Sequence, residues 1–203
     1  SDDGVNAAGG ADGSGMGGMR PGRPGSGSTT TTSQYALNIS GANTFLWMNT
    51  KGDGLDSNGS LTVSGGTVIV QQSGGGNSGL DADGTRAIKG GLVIIVDGGD
   101  MVELPSASTQ PVISYKMSSS VAANTLLNVQ DSSGNTIFTY KSTVSYRHIL
   151  VSSPSFKTGS SYKIYTGGST TGTANNGLYT GGTYTAGTLK KTVTLSSTVT
   201  STS

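Results

Sequence analysis

Cysteine is absent from this 203-residue chain, histidine and tryptophan occur once each, proline five times, and charged side chains make up only 11%. Without cysteine there is neither a disulfide framework nor a thiolate metal centre. Its absence does not argue against an oxidising compartment, because a stacked-repeat protein draws its stability from neighbouring units. No apolar run approaches the roughly 18 residues a membrane-spanning helix needs. Phosphate-loop, dinucleotide and CxxC motifs are missing as well. His148 lies in the half of the chain that is nearly free of acids, so no catalytic triad is expected around it. Sparse charge and sparse proline also exclude the composition of a disordered chain, and a net charge of +1 offers nothing for nucleic acid.

What the chain has is glycine, 34 residues of it, together with abundant Ser and Thr, and a repeat. Gly54-Leu55-Asp56-Ser57-Asn58-Gly59 leads into Leu61-Thr62-Val63-Ser64-Gly65-Gly66-Thr67-Val68-Ile69-Val70. Gly79-Leu80-Asp81-Ala82-Asp83-Gly84 then leads into Ala87-Ile88-Lys89-Gly90-Gly91-Leu92-Val93-Ile94-Ile95. Asp3-Gly4-Val5-Asn6 starts the same way. Each unit is an Asp/Gly turn, a short β-type run, a Gly-Gly corner and a second β-type run. It is too short to bury a face alone, and it lacks the signatures of leucine-rich, ankyrin and propeller repeats, which leaves a parallel β-helix. The expected fold is all-β, with about three stacked coils over residues 1–104. A Gly/Pro/Thr-rich loop at 9–34 bulges from one corner. Residues 105–203 should form a mainly antiparallel β cap or small β-sandwich, with strands at Val112–Met117, Leu126–Gln130, Thr136–Tyr140, His148–Val151, Tyr162–Tyr165 and a last one around Val193–Val199. The first residues read as the middle of a repeat and no signal peptide precedes them, so a processed or truncated product is expected.

Charge is divided unevenly. Residues 1–103 carry ten of the eleven acids and net −5; residues 104–203 carry seven of the twelve bases and net +6. In a parallel stack equivalent residues lie roughly 4.8 Å apart. Asn6, Asp56 and Asp81 should therefore form one column and Asp3, Asp53 and Ser78 another. Two carboxylates at that spacing repel by about 3 kcal/mol at an effective dielectric of 20. The column needs hydration or a shared hard cation. Asp2, Asp3, Asn6, Asp53, Asp56, Asn58, Asp81 and Asp83 supply oxygen ligands only, a set that suits Ca2+ better than zinc or copper. The competing reading is that Asp and Asn occupy these turns because they favour left-handed and Asx-turn conformations.

The stretch Asp53–Thr67 resembles the repeated motif of a bacterial family of secreted carbohydrate-binding domains. Leu127–Asn135, Val151–Pro154, Tyr162–Gly168 and Gly177–Gly182 resemble that family's closing segment. The resemblance implies a right-handed parallel β-helix similar to family 9 pectate lyases, calcium at the turns, and attachment to cellulose or acidic pectic polysaccharide. Related lyases remove a proton with Lys or Arg. The bases near the acidic column, Lys51, Arg86 and Lys89, stand in no lyase motif, and a non-catalytic protein is expected.

Two functional readings follow. In the first, an extracellular or cell-surface protein binds polysaccharide through Trp47, Lys51, Arg86, Tyr179 and Tyr184. Each of these has an alternative as packing or a solvated charge. In the second, the chain is a structural subunit of an extracellular filament or matrix, self-associating through its coil ends and its Thr-rich C-terminal strand. Asn38-Ile39-Ser40 and Asn58-Gly59-Ser60 have the form of N-glycosylation acceptors.

Overall fold

A computed structural model describes residues 3–7 and 35–203. Asp2 and the whole of the 9–34 insertion lie outside the described residues. Those described are all-β, with no helix among them.

The repeat stacks in parallel. Strand β1 (Val5–Ala7) lies on β4 (Leu55–Ser57), with Asn6 opposite Asp56. Both β2 (Ala36–Ile39) and β3 (Phe45–Thr50) lie on the 13-residue β5 (Ser60–Gln72), and β5 lies in turn on β6 (Arg86–Asp97). Leu37 sits opposite Leu61, and Ile39, Val63 and Ile88 follow one another across three strands. These side chains form the apolar ladder expected from the repeat. The Gly-Gly corners are what let a long strand bend there. Gly66 and Gly91 hold φ of +79° and +87°, a region that L side chains rarely adopt. A Cβ on Gly91 would also stand 2.6 Å from the Gly66 carbonyl oxygen.

Beyond β6 the sheet continues across residue 104. Strand β7 (Val112–Val121) is followed by β8 (Leu126–Asp131), β9 (Thr136–Lys141) and β10 (Tyr146–Ser152). Strand β10 pairs antiparallel with both β6 and β7, so it joins the parallel strands to the C-terminal half. The seven-stranded sheet and both hydrophobic clusters therefore draw residues from each side of the position where a domain boundary is expected. Val93, Ile94, Ile95 and Val96 of β6 are all buried. Alternate residues face two different cores, which is why the sequence there is a continuous apolar run rather than an alternating one.

A second sheet covers one face. Its strands are β8, β9, β11 (Ser161–Thr166), β13 (Thr173–Asn175), β14 (Leu178–Thr180) and β16 (Thr188–Thr194), in the order β13-β14-β9-β8-β11-β16. Leu127, Val129, Phe138, Tyr140 and Ile164 pack from this sheet against Ile69, Ile94, Val96 and Ile113 of the first. A two-stranded ribbon, β12 (Ser169–Thr170) with β15 (Tyr184–Thr185), folds beside it. The expected last strand proves to be two. β16 ends at Thr194, Leu195 is buried in the core, and β17 (Val199–Thr202) crosses to the first sheet and pairs parallel with β7.

Candidate functional site

The acidic turns come together as an interlocked stack. Asn6 Nδ2 donates to Asp56 Oδ2 at 2.7 Å and to Asp3 Oδ2 at 2.9 Å. The Asp53 N–H donates to Asp3 Oδ1 at 2.9 Å, and the Ser78 N–H donates to Asp53 Oδ1 at 2.6 Å. At the next turn Leu55 bridges in parallel to Leu80, which brings Asp81 beside Asp56. Asn58 Nδ2 reaches Asp83 Oδ2 at 3.4 Å. Hydrogen bonds between the stacked turns thus satisfy part of what a cation would otherwise neutralise.

The remaining charge shows in proton affinity. Partial burial, and then the charges of Asp3, Asp81, Asp53 and Asp83, push Asp56 up to about 6. Burial also raises Asp53, helped by Asp81 and Asp3 and opposed by the bond from the Ser78 N–H. Glu103, a carboxylate outside the expected set, extends the stack: burial and then Asp81 raise it against the pull of Arg86. Among the described residues, no three His, Cys, Asp or Glu side chains converge closely enough to hold an ion by themselves. A metal here would have to draw on Asn oxygens and turn carbonyls as well. That mixed, oxygen-only set is one a calcium ion accepts.

The other expected ligand residues separate. Tyr179 of β14 and Tyr184 of β15 line a single groove of about 380 Å³ with Thr136, Thr139 and Thr170. The Tyr184 ring is fixed from both ends of its hydroxyl, which donates to Gly167 O at 2.9 Å and accepts from the Gly187 N–H at 3.1 Å. The Tyr184 ring also packs edge-on against Tyr165. Lys141 Nζ stands 5.8 Å from the Tyr179 ring centroid. Trp47, Lys51 and Arg86 do not reach this groove. The Trp47 indole packs against the core beside Tyr140, and Lys51 is exposed at a distant turn. Arg86 is engaged within the chain, with Nη1 2.8 Å from Glu103 Oε2 and Nε donating to Leu104 O at 3.1 Å. Lys89 is the exposed extra residue of a bulge, since Val63 opposes Ile88 while Ser64 opposes Gly90.

One expectation is overturned. His148 does join a Ser-His-Asp set, because the β6–β10 pairing imports an acid from the first half. Its Nδ1 lies 3.0 Å from both oxygens of Asp97, and its Nε2 lies 2.9 Å from Ser114 Oγ. All three residues are 1–2% exposed. A nucleophile so deeply covered cannot meet a substrate carbonyl, and the set works as a bridge across β6, β10 and β7.

Sequence reading missed Asn128, Thr136 and Thr139. Asn128 carried a signal, a polar residue inside the apolar run Leu126-Leu127-Asn128-Val129. It is fully buried and donates to Thr139 Oγ1 at 2.7 Å, Phe138 O at 3.2 Å and Thr136 Oγ1 at 3.4 Å.

Comparison with protein-family models, characterised proteins and solved structures finds no match to this chain.

Proposed function

We propose that this is a non-catalytic, extracellular carbohydrate-binding protein whose first half is a right-handed parallel β-helix and whose glycan site is the Tyr179–Tyr184 groove. The observation that carries the reading is the convergence of these two half-buried tyrosines on one groove walled by threonine side chains. An aromatic face covers the apolar side of a sugar ring, while hydroxyls at its border exchange hydrogen bonds with the ring's own. The fixed Tyr184 ring costs little ordering entropy on binding. Resemblance of the Asp53–Thr67 repeat to secreted carbohydrate-binding β-helix proteins supports the same reading. Tyr179→Ala should abolish retention on insoluble polysaccharide without lowering the melting temperature. Unchanged retention on every polysaccharide the parent chain binds would refute it.

Calcium belongs to the acidic turns in this reading. Asp3, Asn6, Asp53, Asp56, Asn58, Asp81 and Asp83 would hold it, and its charge would relieve the repulsion that raises Asp56. Calorimetric titration of the chelator-treated protein tests this, and absence of saturable heat refutes it.

End-to-end assembly is the second reading. Among the described residues, β2 and β3 on one edge of the large sheet and β17 on the other run in the same direction. The two edges are therefore suited to parallel addition of one copy to the next, and heterologous contacts of that kind build fibres. Light scattering at rising concentration, with and without residues 199–203, distinguishes assembly from a monomer.

A further inference from the structure

Edge strands are commonly blunted by a lysine, a proline or a bulge, because an open edge invites another chain to pair with it. The large sheet does neither at β3 nor at β17. Phe45–Thr50 and Val199–Thr202 contain no charged residue and no proline, and neither strand shifts register against its neighbour. Among the described residues no strand lies on the far side of either. One apolar cluster of this sheet is also thinly covered at the same two places: Leu46 of β3 and Val199 of β17 are among the side chains only partly buried against it. Phe45, at the start of β3, is 40% exposed.

The two edges are in register with each other through the whole sheet. One unbroken row runs Leu46, Val68, Val93, Ser152, Val112, Val199, and the next runs Trp47, Ile69, Ile94, Val151, Ile113, Thr200. Met48 reaches Ser201 and Asn49 reaches Thr202 in the same way. The chain reverses direction from β6 to β10 and again from β10 to β7, so β17 runs the same way as β3. A second β3 laid beside β17 therefore continues every row on its own face, Leu46 beside Val199 and Trp47 beside Thr200.

The backbone agrees with this register. The Thr67 N–H donates to Thr44 O at 2.8 Å, and the Val112 N–H donates to Thr198 O at 2.7 Å. Alternate residues of a strand in a parallel ladder turn their N–H and C=O to opposite sides. Phe45, Trp47 and Asn49 thus direct theirs away from β5, and Val199 and Ser201 direct theirs away from β7. With Leu46 opposite Val199, the free groups of Val199 and Ser201 fall between those of Phe45, Trp47 and Asn49, donor against acceptor.

From this continuity, and resting on the end-to-end reading above, we infer that the β3 edge is a docking site for β17 of a second copy of this chain, in parallel, with Leu46 opposite Val199 and Asn49 opposite Thr202. The contact is heterologous and does not close on itself. Strand twist makes the repeated step a screw, and the product is a helical fibre. A two-fold pairing of like edges would cover one end of each apolar cluster and leave the other bare.

The chain has no cysteine, so introduced ones report this contact without background. Opposite residues of paired strands lie within disulfide reach. Whole chains carrying Asn49→Cys and whole chains carrying Thr202→Cys are oxidised separately and as an equal mixture, at rising concentration. The mixture should cross-link far faster than either variant alone, and a chain with both substitutions should give a ladder of multimers. Ser201→Pro removes an outward N–H and spares the bonds to β7, a position where an edge strand tolerates proline. It should raise the concentration of half-assembly in light scattering at least about fivefold, the size of one lost hydrogen bond. A parent chain that stays monomeric at every concentration overturns both this contact and the end-to-end reading. Assembly without preferential cross-linking in the mixture overturns the β3–β17 register and leaves end-to-end assembly standing. Faster linkage of one variant with itself shows a two-fold pairing and overturns the proposal, as does assembly of Ser201→Pro at the parent's concentration.

Discussion

Asp97 of β6 and His148 of β10 stand opposite each other in antiparallel register, the imidazole Nδ1 equidistant, at 3.0 Å, from both carboxylate oxygens. The Gly99 N–H donates to Asp97 Oδ1 at 2.8 Å, and Ser114 Oγ closes the other side of the ring. This contact sits where the parallel strands give way to antiparallel ones. His148→Ala would strand the Asp97 carboxylate in the interior without its main partner. Removing one member of a buried pair costs about 3–5 kcal/mol, so the urea midpoint should fall sharply. Ser114→Ala removes a single hydrogen bond and should cost about 1 kcal/mol. Equal costs for the two variants would show that the pair is not the centre of the set.

The acidic stack makes stability depend on pH in an uncommon direction. A carboxyl raised in the folded state binds more protons folded than unfolded, so stability falls as pH rises from the unfolded value toward the folded one. For Asp56 that window runs from 3.8 to about 6. At face value the shift corresponds to roughly 3 kcal/mol; screening by solvent at a partly open site reduces it to about 1 kcal/mol. In chelator the melting temperature should drop between the ends of this window and flatten above it, and Asp56→Asn should remove the drop. A melting temperature that climbs through the same window would contradict the stacked-carboxylate account.

Gly54 is placed at a close approach between neighbouring turns. A methyl group there would run into the Gly79 carbonyl oxygen and Val70 Cγ1, one belonging to the neighbouring turn and the other to the ladder. Neither can retreat, because Val70 is fully buried and the Gly54 N–H donates to Ser78 O at 2.9 Å. Gly54→Ala should therefore cost about 1–3 kcal/mol, the usual range for overpacking. Gly75→Ala, in the same region but with open space around its Cβ, is the control and should be near neutral.

These contacts divide by how far apart their partners lie in sequence. The ladder of Ile39, Val63 and Ile88 was legible because the repeat states its own register: like residues recur at a fixed interval and must stack. The Asn6–Asp56 column follows from the same rule. His148 with Asp97 did not, because 51 residues separate them and nothing local says that β10 will insert between β6 and β7. Tyr179 and Tyr184 were legible as exposed aromatics, but their groove depends on the β12–β15 ribbon and on a bulge at Ile137, and bulges leave no periodic trace. Trp47 and Arg86 show the converse. Their residue types invite a ligand, and packing beside Tyr140 and pairing with Glu103 employ them within the chain. Sequence reads a single last strand around Val193–Val199, whereas β16 ends at Thr194 against β11 and β17 starts at Val199 on the other sheet, a change of partner that no local pattern marks.

The junction at residue 104 carries the last prediction. Sequence places a boundary there, just before Pro105 and at a change of charge sign, and a boundary would let the halves unfold separately. The described contacts cross it everywhere. Gln71 Oε1, fully buried on β5, accepts from the Thr143 N–H at 2.6 Å and from Ser142 Oγ at 2.8 Å. Ile69, Ile94 and Val96 complete a core whose other wall is Leu127, Phe138 and Ile164. Residues 105–203 alone would expose that wall and leave the β6 side of β10 unpaired, a long apolar edge prone to aggregation. The whole chain is therefore expected to melt in one cooperative transition, with calorimetric and van't Hoff enthalpies in agreement, and the 105–203 fragment is expected to be insoluble or unfolded. Two resolved transitions, or a fragment with the amide dispersion of a folded sheet, would mean that the shared sheet is not a cooperative unit. Gln71→Leu sharpens the test: it strands the Thr143 N–H at a cost of about 1–3 kcal/mol, and in a single cooperative unit that loss shifts the transition as a whole without splitting it.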